Sequence, residues 1–332
     1  MQVQELHWID IKVVEREEMT SFIVNKSQVI ELTDSTDESS FISNSMLKIK
    51  QSKLLVHSFG NFSAICHKYL SVTKLLSVLH SLGKNVNRSN VNLIRVEPAI
   101  GEAKLKNLAD VCLKSHKDVY LNLPQADELP QVRRAIAWTI KRTFDWLAAL
   151  VILIILSPVM LALTAIVAST SGGAVFFHQW RVGENGKLFR IIKFRTMIAD
   201  ADKLHHLVMS GQTGLHKCED DPRITPAGRW MRKYSLDELP QLFNVLRGEM
   251  SLVGPRPWAL YDALRISGDR QRRLNSLPGV TGAWQVSARS TMLDLDAVTD
   301  CDLNYLRDWT IWSDLKILLM TVPKVLSGFG AY

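Results

Sequence analysis

Between Trp146 and Ala168 the chain reads WLAALVILIILSPVMLALTAIVA, 23 residues without a formal charge. Roughly 20 apolar residues are enough to cross the hydrocarbon core of a bilayer as a helix. Nothing else in the sequence restricts the fold as strongly. Ser157-Pro158 falls near the middle, where a proline removes a backbone donor and crowds the preceding turn, so a kink is expected. Spanning helices tolerate kinks, so the flanks carry more weight. Arg133, Arg134, Lys141 and Arg142 precede the segment, and Arg181, Lys187, Arg190, Lys193 and Arg195 follow it. Positively charged flanks prefer the cytoplasmic side. A spanning helix would strand one basic flank outside. A helix that enters, bends at Ser157-Pro158 and leaves on the same face would not, so the sequence favours a re-entrant hairpin over 141–170.

A chain of 332 residues has room for two domains, or one domain and a membrane element. Hydrophobic residues make up 47%, which argues against a polytopic membrane protein. The net charge of +7 and pI of about 9.2 suit an anionic partner: a nucleic acid, a phosphorylated ligand or an acidic membrane surface. No nucleic-acid-binding motif accompanies the charge, so no nucleic acid is expected. Cys66, Cys112, Cys218 and Cys301 lie far apart, without the spacing of a structural zinc site. Scattered thiols fit a reducing compartment. The start, MQVQELHWIDIKVVEREE, lacks the basic-then-apolar order of a signal peptide, so the bulk of the protein is expected in the cytosol.

Ahead of the apolar segment, strand and helix patterns alternate. The stretch 32–45 is polar and Ser-rich and reads as a loop. Strands are expected over 53–59, 91–98 and 118–124, and helices over 67–84 and 101–117. Alternation of this kind predicts a small α/β domain with a parallel sheet over 1–125, followed by a linker over 126–140. It has no GxGxxG and no Walker-type loop, and reads as a regulatory or docking domain. Near the other end, 303–326 places Trp309 and Trp312 among leucines with interleaved charges. It reads either as an amphipathic helix in the membrane interface, indoles at headgroup level, or as a core helix of a soluble domain.

Between these segments lies a region dense in both charges. It holds Arg190, Lys193 and Arg195, then Arg223, Arg229, Arg232, Lys233, Arg247 and Arg256, with Asp237 and Glu238 embedded among them. Guanidinium groups suit phosphate because they donate in a planar fork. A carboxylate pair among them can hold Mg²⁺, and a carboxylate can attack phosphorus. The plainer reading is a helix start, with Ser235 as N-cap and the two acids in the first turn. GPRP at 254–257 fixes the backbone around Arg256. PGVTGAWQVSAR at 278–289 ends in Arg289 and reads equally as a ligand loop or a surface loop. The pentapeptide DELPQ occurs twice, at Asp127–Gln131 and Asp237–Gln241, and only the second copy sits in the arginine-rich frame.

Four stretches, in order, resemble the bacterial sugar transferases, the monotopic polyprenyl-phosphate phosphoglycosyl transferases. They are KRTFDWLAALVILIILSPVMLALTAIVA, VFFHQWRVGENGKLFRIIKFRTM, DPRITPAGRWMRKYSLDELPQLFNVLRGEMSLVGPRP and LPGVTGAWQVSAR. The resemblance covers the chain from about Arg134 onward and leaves the first 125 or so residues outside. It implies an α+β, mostly helical catalytic domain over 141–332, with a re-entrant helix-break-helix and interfacial helices, on the cytoplasmic face of a bacterial inner membrane. It implies transfer of a sugar 1-phosphate from a UDP-sugar to polyprenyl phosphate with release of UMP, as in exopolysaccharide initiation, with a hexose weakly favoured. The resemblance makes Asp237 the nucleophile of a covalent phospho-sugar intermediate and puts Glu238 in a Mg²⁺ site that Asp237 adjoins. Ser157-Pro158 becomes the hairpin break. Lys193, Arg195, Arg223, Arg232 and Arg256 are expected around the phosphates, with Arg229 and Arg289 as further candidates. Asp302 and Tyr305 match a D-x-x-Y pattern. A homodimer is compatible with the family. A non-enzymatic anchored sensor or scaffold is the competing reading, and the intact Asp-Glu, Ser-Pro and GPRP motifs oppose it.

Overall fold

The structure is a computed structural model that describes residues 29–31, 45–50, 53–58, 93–114, 116–170, 173–198, 201, 221–287 and 294–328. The loop expected over 32–45, apart from its last residue, and the helix over 67–84 lie outside the described residues, as does Arg289. The chain divides into two compact units, Met1–Asn122 and Leu123–Tyr332.

The first unit holds a five-stranded sheet in sequential order: β1 (Val29–Glu31), β2 (Ser45–Lys50), β3 (Lys53–Ser58), β4 (Leu93–Val96) and β5 (Asp118–Leu121). β3, β4 and β5 run parallel, while β1, β2 and β3 pair antiparallel. The sheet is therefore mixed rather than parallel. SMLKIK pairs with KLLVHS in register from Ser45–Ser58 to Lys50–Lys53. Helix α1 (Glu102–Lys114) precedes β5 and buries Leu105, Leu108, Ala109 and Cys112, a single stripe at helical spacing.

The second unit is built on helix α2 (Ala135–Thr170). It starts six residues before the expected hairpin, and its helical backbone continues through Pro158. Ser157 Oγ donates to Ile154 O at 2.8 Å. Ala149, Leu153, Met160, Leu163 and Val167 form a buried stripe, while Ile154, Ile155, Val159 and Leu161 are exposed. This helix is long and apolar enough to cross a membrane. Its stripe belongs to a core shared with Phe189, Ile191 and Phe194 of β7 (Leu188–Phe194), Met231, Leu242, Val245, Met250 and Leu252.

Three cations of the basic flank before the apolar segment, Arg134, Lys141 and Arg142, bond to protein groups. Arg134 Nη1 donates to Trp309 O at 2.6 Å, and Arg142 Nη2 to Gly248 O at 3.1 Å. Lys141 Nζ bridges Asp145 at 3.0 Å and Asp314 at 2.7 Å. Asp314 in turn accepts from the Tyr305 hydroxyl at 2.6 Å, and Asp145 accepts from Ser251 Oγ. Buried charges of this kind persist only when paired and hydrogen-bonded. The network joins α2 to the last helix.

The segment 303–326 is not one helix. Helix α5 (Leu295–Arg307) ends, and helix α6 (Ile311–Ser327) restarts behind Thr310, whose hydroxyl and Ser313 form a capping box. Trp309 lies in the break, 1% exposed, with its ring edge-on to Trp138 at 5.2 Å between centroids. It is a core residue, not an interfacial anchor, because the corner between the helices turns it inward. Trp312 is 78% exposed beside Leu315, Leu319 and Leu326, so the apolar face belongs to α6 alone.

Candidate active site

The hairpin β6 (Phe176–Val182) and β7 carries the first cations. Its antiparallel register pairs Phe177 with Lys193 and Arg181 with Phe189, which puts Gln179, Arg181 and Lys193 on one face. The connecting turn needs left-handed backbone at Asn185 and Gly186. Beyond β7, an isolated bridge between Met197 and Ile224 brings FRTM beside DPRIT. Helix α3 (Pro226–Lys233) then starts from Thr225, whose hydroxyl accepts from Gly228 N at 3.0 Å, with proline at the first position. A side chain at Gly228 would meet Thr196 O at 2.2 Å, so only glycine admits this close approach. Arg232 Nε donates to Thr196 Oγ1 at 2.8 Å.

Asp237 and Glu238 lie in a single 3-10 turn, Leu236–Glu238. Ser235 occupies the N-cap position in left-handed backbone (φ 52°, ψ 23°) and does not cap through its side chain, contrary to the helix-start reading. Helix α4 (Gln241–Leu246) follows. Its buried Asn244 fastens it to β7: Ile192 N donates to Asn244 Oδ1 at 3.0 Å, and Asn244 Nδ2 donates to Arg190 O at 2.9 Å and Glu249 Oε2 at 2.7 Å. The acid pair is thereby held against the strand that carries Lys193.

Both acids are buried. Lys193 Nζ stands 2.8 Å from Glu238 Oε1, and Arg256 Nη2 reaches the same oxygen at 3.0 Å. Arg256 comes from GPRP, whose strand β8 (Ser251–Val253) pairs in parallel with β9 (Gly279–Thr281) of PGVTG. Gly279 N donates to Pro255 O and Gly254 N to Thr281 O, both at 2.9 Å. A side chain on Gly279 would fall 2.1 Å from Gly254 N, so the two glycines let the loops lock together. PGVTGAWQVS is thus a strand and a short helix (Ala283–Ser287) that brace the arginine loop.

The electrostatics follow from burial among cations. Burial raises the Asp237 carboxyl above the usual carboxylate range; Glu238 adds to the rise, and Lys193, Arg232 and Arg256 oppose it. Burial lowers Lys193 and Arg232. Glu238 raises Arg256, outweighing burial. The result is a dry carboxylate pair with cations on several sides, suited to a reaction between anions. Its oxygen donors fit Mg²⁺, which takes one or two carboxylates and fills its shell with water and phosphate oxygens. An ion would share Glu238 with Lys193 and Arg256. Among the described residues no group of three or more His, Cys, Asp or Glu side chains could hold one alone.

The remaining candidates divide. Arg223 is buried and forked onto Asp221, Nε to Oδ1 at 2.8 Å and Nη2 to Oδ2 at 2.6 Å. Arg195 packs its guanidinium over Gly173. Arg229 is exposed. Asp302 and Tyr305 touch neither acid: Asp302 pairs with Arg273, and Tyr305 with Asp314. Burial raises both, with Asp314 adding to the rise at Tyr305.

Arg181 counted in the sequence only as a basic flank. Its Nη1 donates to Pro257 O at 3.1 Å, Nη2 bonds Gln179 Oε1, and its buried Nε has no hydrogen-bond partner among the described residues. Burial brings it down to about 10. The signal that could have found it is the GENG turn, which folds FFHQWRV back on LFRIIKF and carries Arg181 to the face of Lys193. The upstream DELPQ forms no such centre. Leu129 is packed with Leu306, and Glu128 lies 3.6 Å from Arg272.

A family model described as "Bacterial sugar transferase" matches residues 136–328. Galactosyl transferase CpsE of Streptococcus agalactiae is 45% identical over 194 residues, covering 58% of this chain and 43% of that protein. Undecaprenyl-phosphate galactose phosphotransferase of Salmonella typhimurium is 36% identical over 329 residues, covering 96% and 66%. Exopolysaccharide production protein ExoY of Rhizobium meliloti is 39% identical over 211 residues, covering 60% and 91%. The chain thus spans less than two thirds of the first two relatives. The Salmonella match reaches well into residues 1–122, so similarity to relatives is not confined to the region after Arg134. The long apolar helix, the arginine-framed acid pair and the matched span agree: this chain belongs to the bacterial sugar transferase family.

Proposed function

We propose that this chain transfers a sugar 1-phosphate from a UDP-sugar to polyprenyl phosphate, releasing UMP, at the cytoplasmic face of a bacterial inner membrane. One observation carries the reading: Asp237 is buried beside Glu238, within the field of Lys193, Arg232 and Arg256. The names of the relatives support the reaction class, and two of them name galactose, which supports a hexose.

In the proposed reaction the ionised Asp237 carboxylate attacks the phosphorus that bears the sugar. The bond from that phosphorus to the bridging oxygen breaks, and UMP leaves with the electron pair. A polyprenyl phosphate oxygen then attacks the same phosphorus, and the carboxylate departs unchanged. Lys193 and Arg256 hold Glu238 and present positive charge to the diphosphate, and Arg232 does so from α3. Arg181 lies on the strand face of Lys193 and adds a further cation. Bound Mg²⁺, held by Asp237 and Glu238 with substrate phosphate, would offset charge that builds up on the phosphates. The competing scaffold reading gains nothing from a buried, paired acid dyad.

The re-entrant path belongs to the same proposal. Trp146 Nε1, at the first residue of the apolar segment, donates to Leu246 O at 3.2 Å, and Arg195 N donates to Val175 O at 2.8 Å a few residues beyond the end of α2. Both ends of the apolar segment are therefore tied into one catalytic unit, which supports entry and exit on the same face.

The test is UMP release by the purified protein with Mg²⁺, polyprenyl phosphate and a panel of UDP-sugars. Release with a UDP-hexose is expected. No release with any UDP-sugar would overturn the reaction.

A further inference from the structure

The proposed chemistry uses Arg256 through its side chain, but the backbone of Arg256 is held by a second pair that never touches the acids. Arg273 and Asp302 are both buried, and Asp302 is 0% exposed. Arg273 Nε and Nη2 both reach Asp302 Oδ2, at 2.8 and 2.7 Å. Arg273 Nη2 also donates to the backbone oxygen of Arg256 at 2.8 Å. The same guanidinium lies over the Trp258 ring, 4.0 Å from its centroid. One planar group thus grips a carboxylate from α5, a carbonyl from GPRP and the indole two residues further along that loop.

A buried ion pair is a poor way to gain stability, because desolvation offsets much of the attraction and hydrophobic residues of similar volume often do as well. The Asp302 Oδ1 atom adds to the cost: it is buried with no hydrogen-bond partner among the described residues. Such an arrangement is explained if it fixes a geometry. The geometry it fixes is that of Arg256, whose Nη2 meets Glu238 beside Asp237.

We propose that Arg273 and Asp302 are positioning residues: they hold the Arg256 carbonyl and Trp258 so that the Arg256 side chain is set against Glu238 before substrate arrives. Neither contacts substrate. The inference rests on the reaction proposed above. It also assigns Asp302 a role through Arg273 rather than at the phosphates.

A double-mutant cycle on UMP release tests it. Arg273→Met in the native background should lower kcat/KM by on the order of 100-fold, the cost of misplacing a catalytic group by about 1 Å. In an Arg256→Met background the same change should have little further effect, because the charged group it positions is already absent. Arg273→Lys should restore only part of the loss, since a point charge cannot grip carboxylate and carbonyl together. Thermal unfolding of each variant is measured in parallel. If Arg273→Met does not fold, Asp302→Asn, which keeps the shape, is carried through the same cycle. Equal losses in both backgrounds, or no loss in the native one, would overturn the positioning role. Absence of UMP release by the native protein would instead overturn the reaction itself.

Discussion

Lys193 Nζ lies 2.8 Å from Glu238 Oε1, one residue along from the proposed nucleophile Asp237. Lys193 also opposes the rise of the Asp237 carboxyl, so it helps keep that group ionised in a buried setting.

Lys193→Met should therefore act twice. In the proposed reaction it removes a cation that faces the diphosphate, for a loss of roughly 100- to 1,000-fold in turnover. It also lets the Asp237 carboxyl rise further. Since only the ionised carboxylate attacks in the proposed reaction, the acid limb of the pH–rate profile should move to higher pH. A limb that stays in place or moves to lower pH contradicts the coupling.

Asp237 itself should destabilise the folded protein at neutral pH. In the unfolded chain an Asp ionises at about 3.9, whereas burial raises its folded value. As pH rises through that window the unfolded state loses its proton first, so stability falls and stays lower above the folded pKa. Asp237→Asn removes this liability. Its Tm should exceed that of the native protein at pH 7, and the gap should close in acid below both pKa values. A lower Tm for the variant at pH 7 would show that the surrounding cations need this charge.

Trp309 and Trp312 should separate core from interface. Trp309→Ala empties a fully buried site and should cost about 3–5 kcal/mol of stability. Trp312→Ala should leave the unfolding midpoint near that of the native protein but weaken binding to anionic vesicles. Reversed outcomes would return the interfacial role to Trp309.

The two ends of the catalytic unit should lie on one side of the membrane. Reporter tags at residue 130 and at residue 332 are both expected in the cytoplasm. Tags on opposite sides would make α2 a spanning helix.

Asp127→Asn, in the upstream DELPQ, should leave turnover near the native rate, because that copy packs Leu129 against the buried Leu306 of α5 and pairs Glu128 with Arg272. A large loss would place chemistry in the wrong copy.

Much of the site was legible because its residues announce themselves locally. Asp237 and Glu238 stand out as an acid pair among arginines, and GPRP fixes Arg256 by its prolines. Local signals fail where a partner is distant in the chain. Arg181 joins the site through strand pairing, Asn244 acts by reaching β7, and Arg273 matters only because Asp302 and Arg256 meet it in space. Arg223 shows the converse: its sequence setting resembles that of its neighbours, yet Asp221, two residues away, takes its fork. In the fold, the period of α1 was readable, whereas the corner at Trp309 was not. The apparent amphipathic run breaks where α5 stops at Arg307 and a capping box at Thr310 and Ser313 starts α6, and packing against Trp138 decides which indole goes inside.

The covalent role of Asp237 is tested most directly by intact-protein mass after mixing with a UDP-hexose and Mg²⁺ while polyprenyl phosphate is withheld. The native protein should gain the mass of one phospho-sugar, map it to Asp237, and lose it on addition of polyprenyl phosphate; Asp237→Asn should gain nothing and release no UMP. Full turnover by Asp237→Asn, or an adduct on another residue, would contradict the role assigned to Asp237.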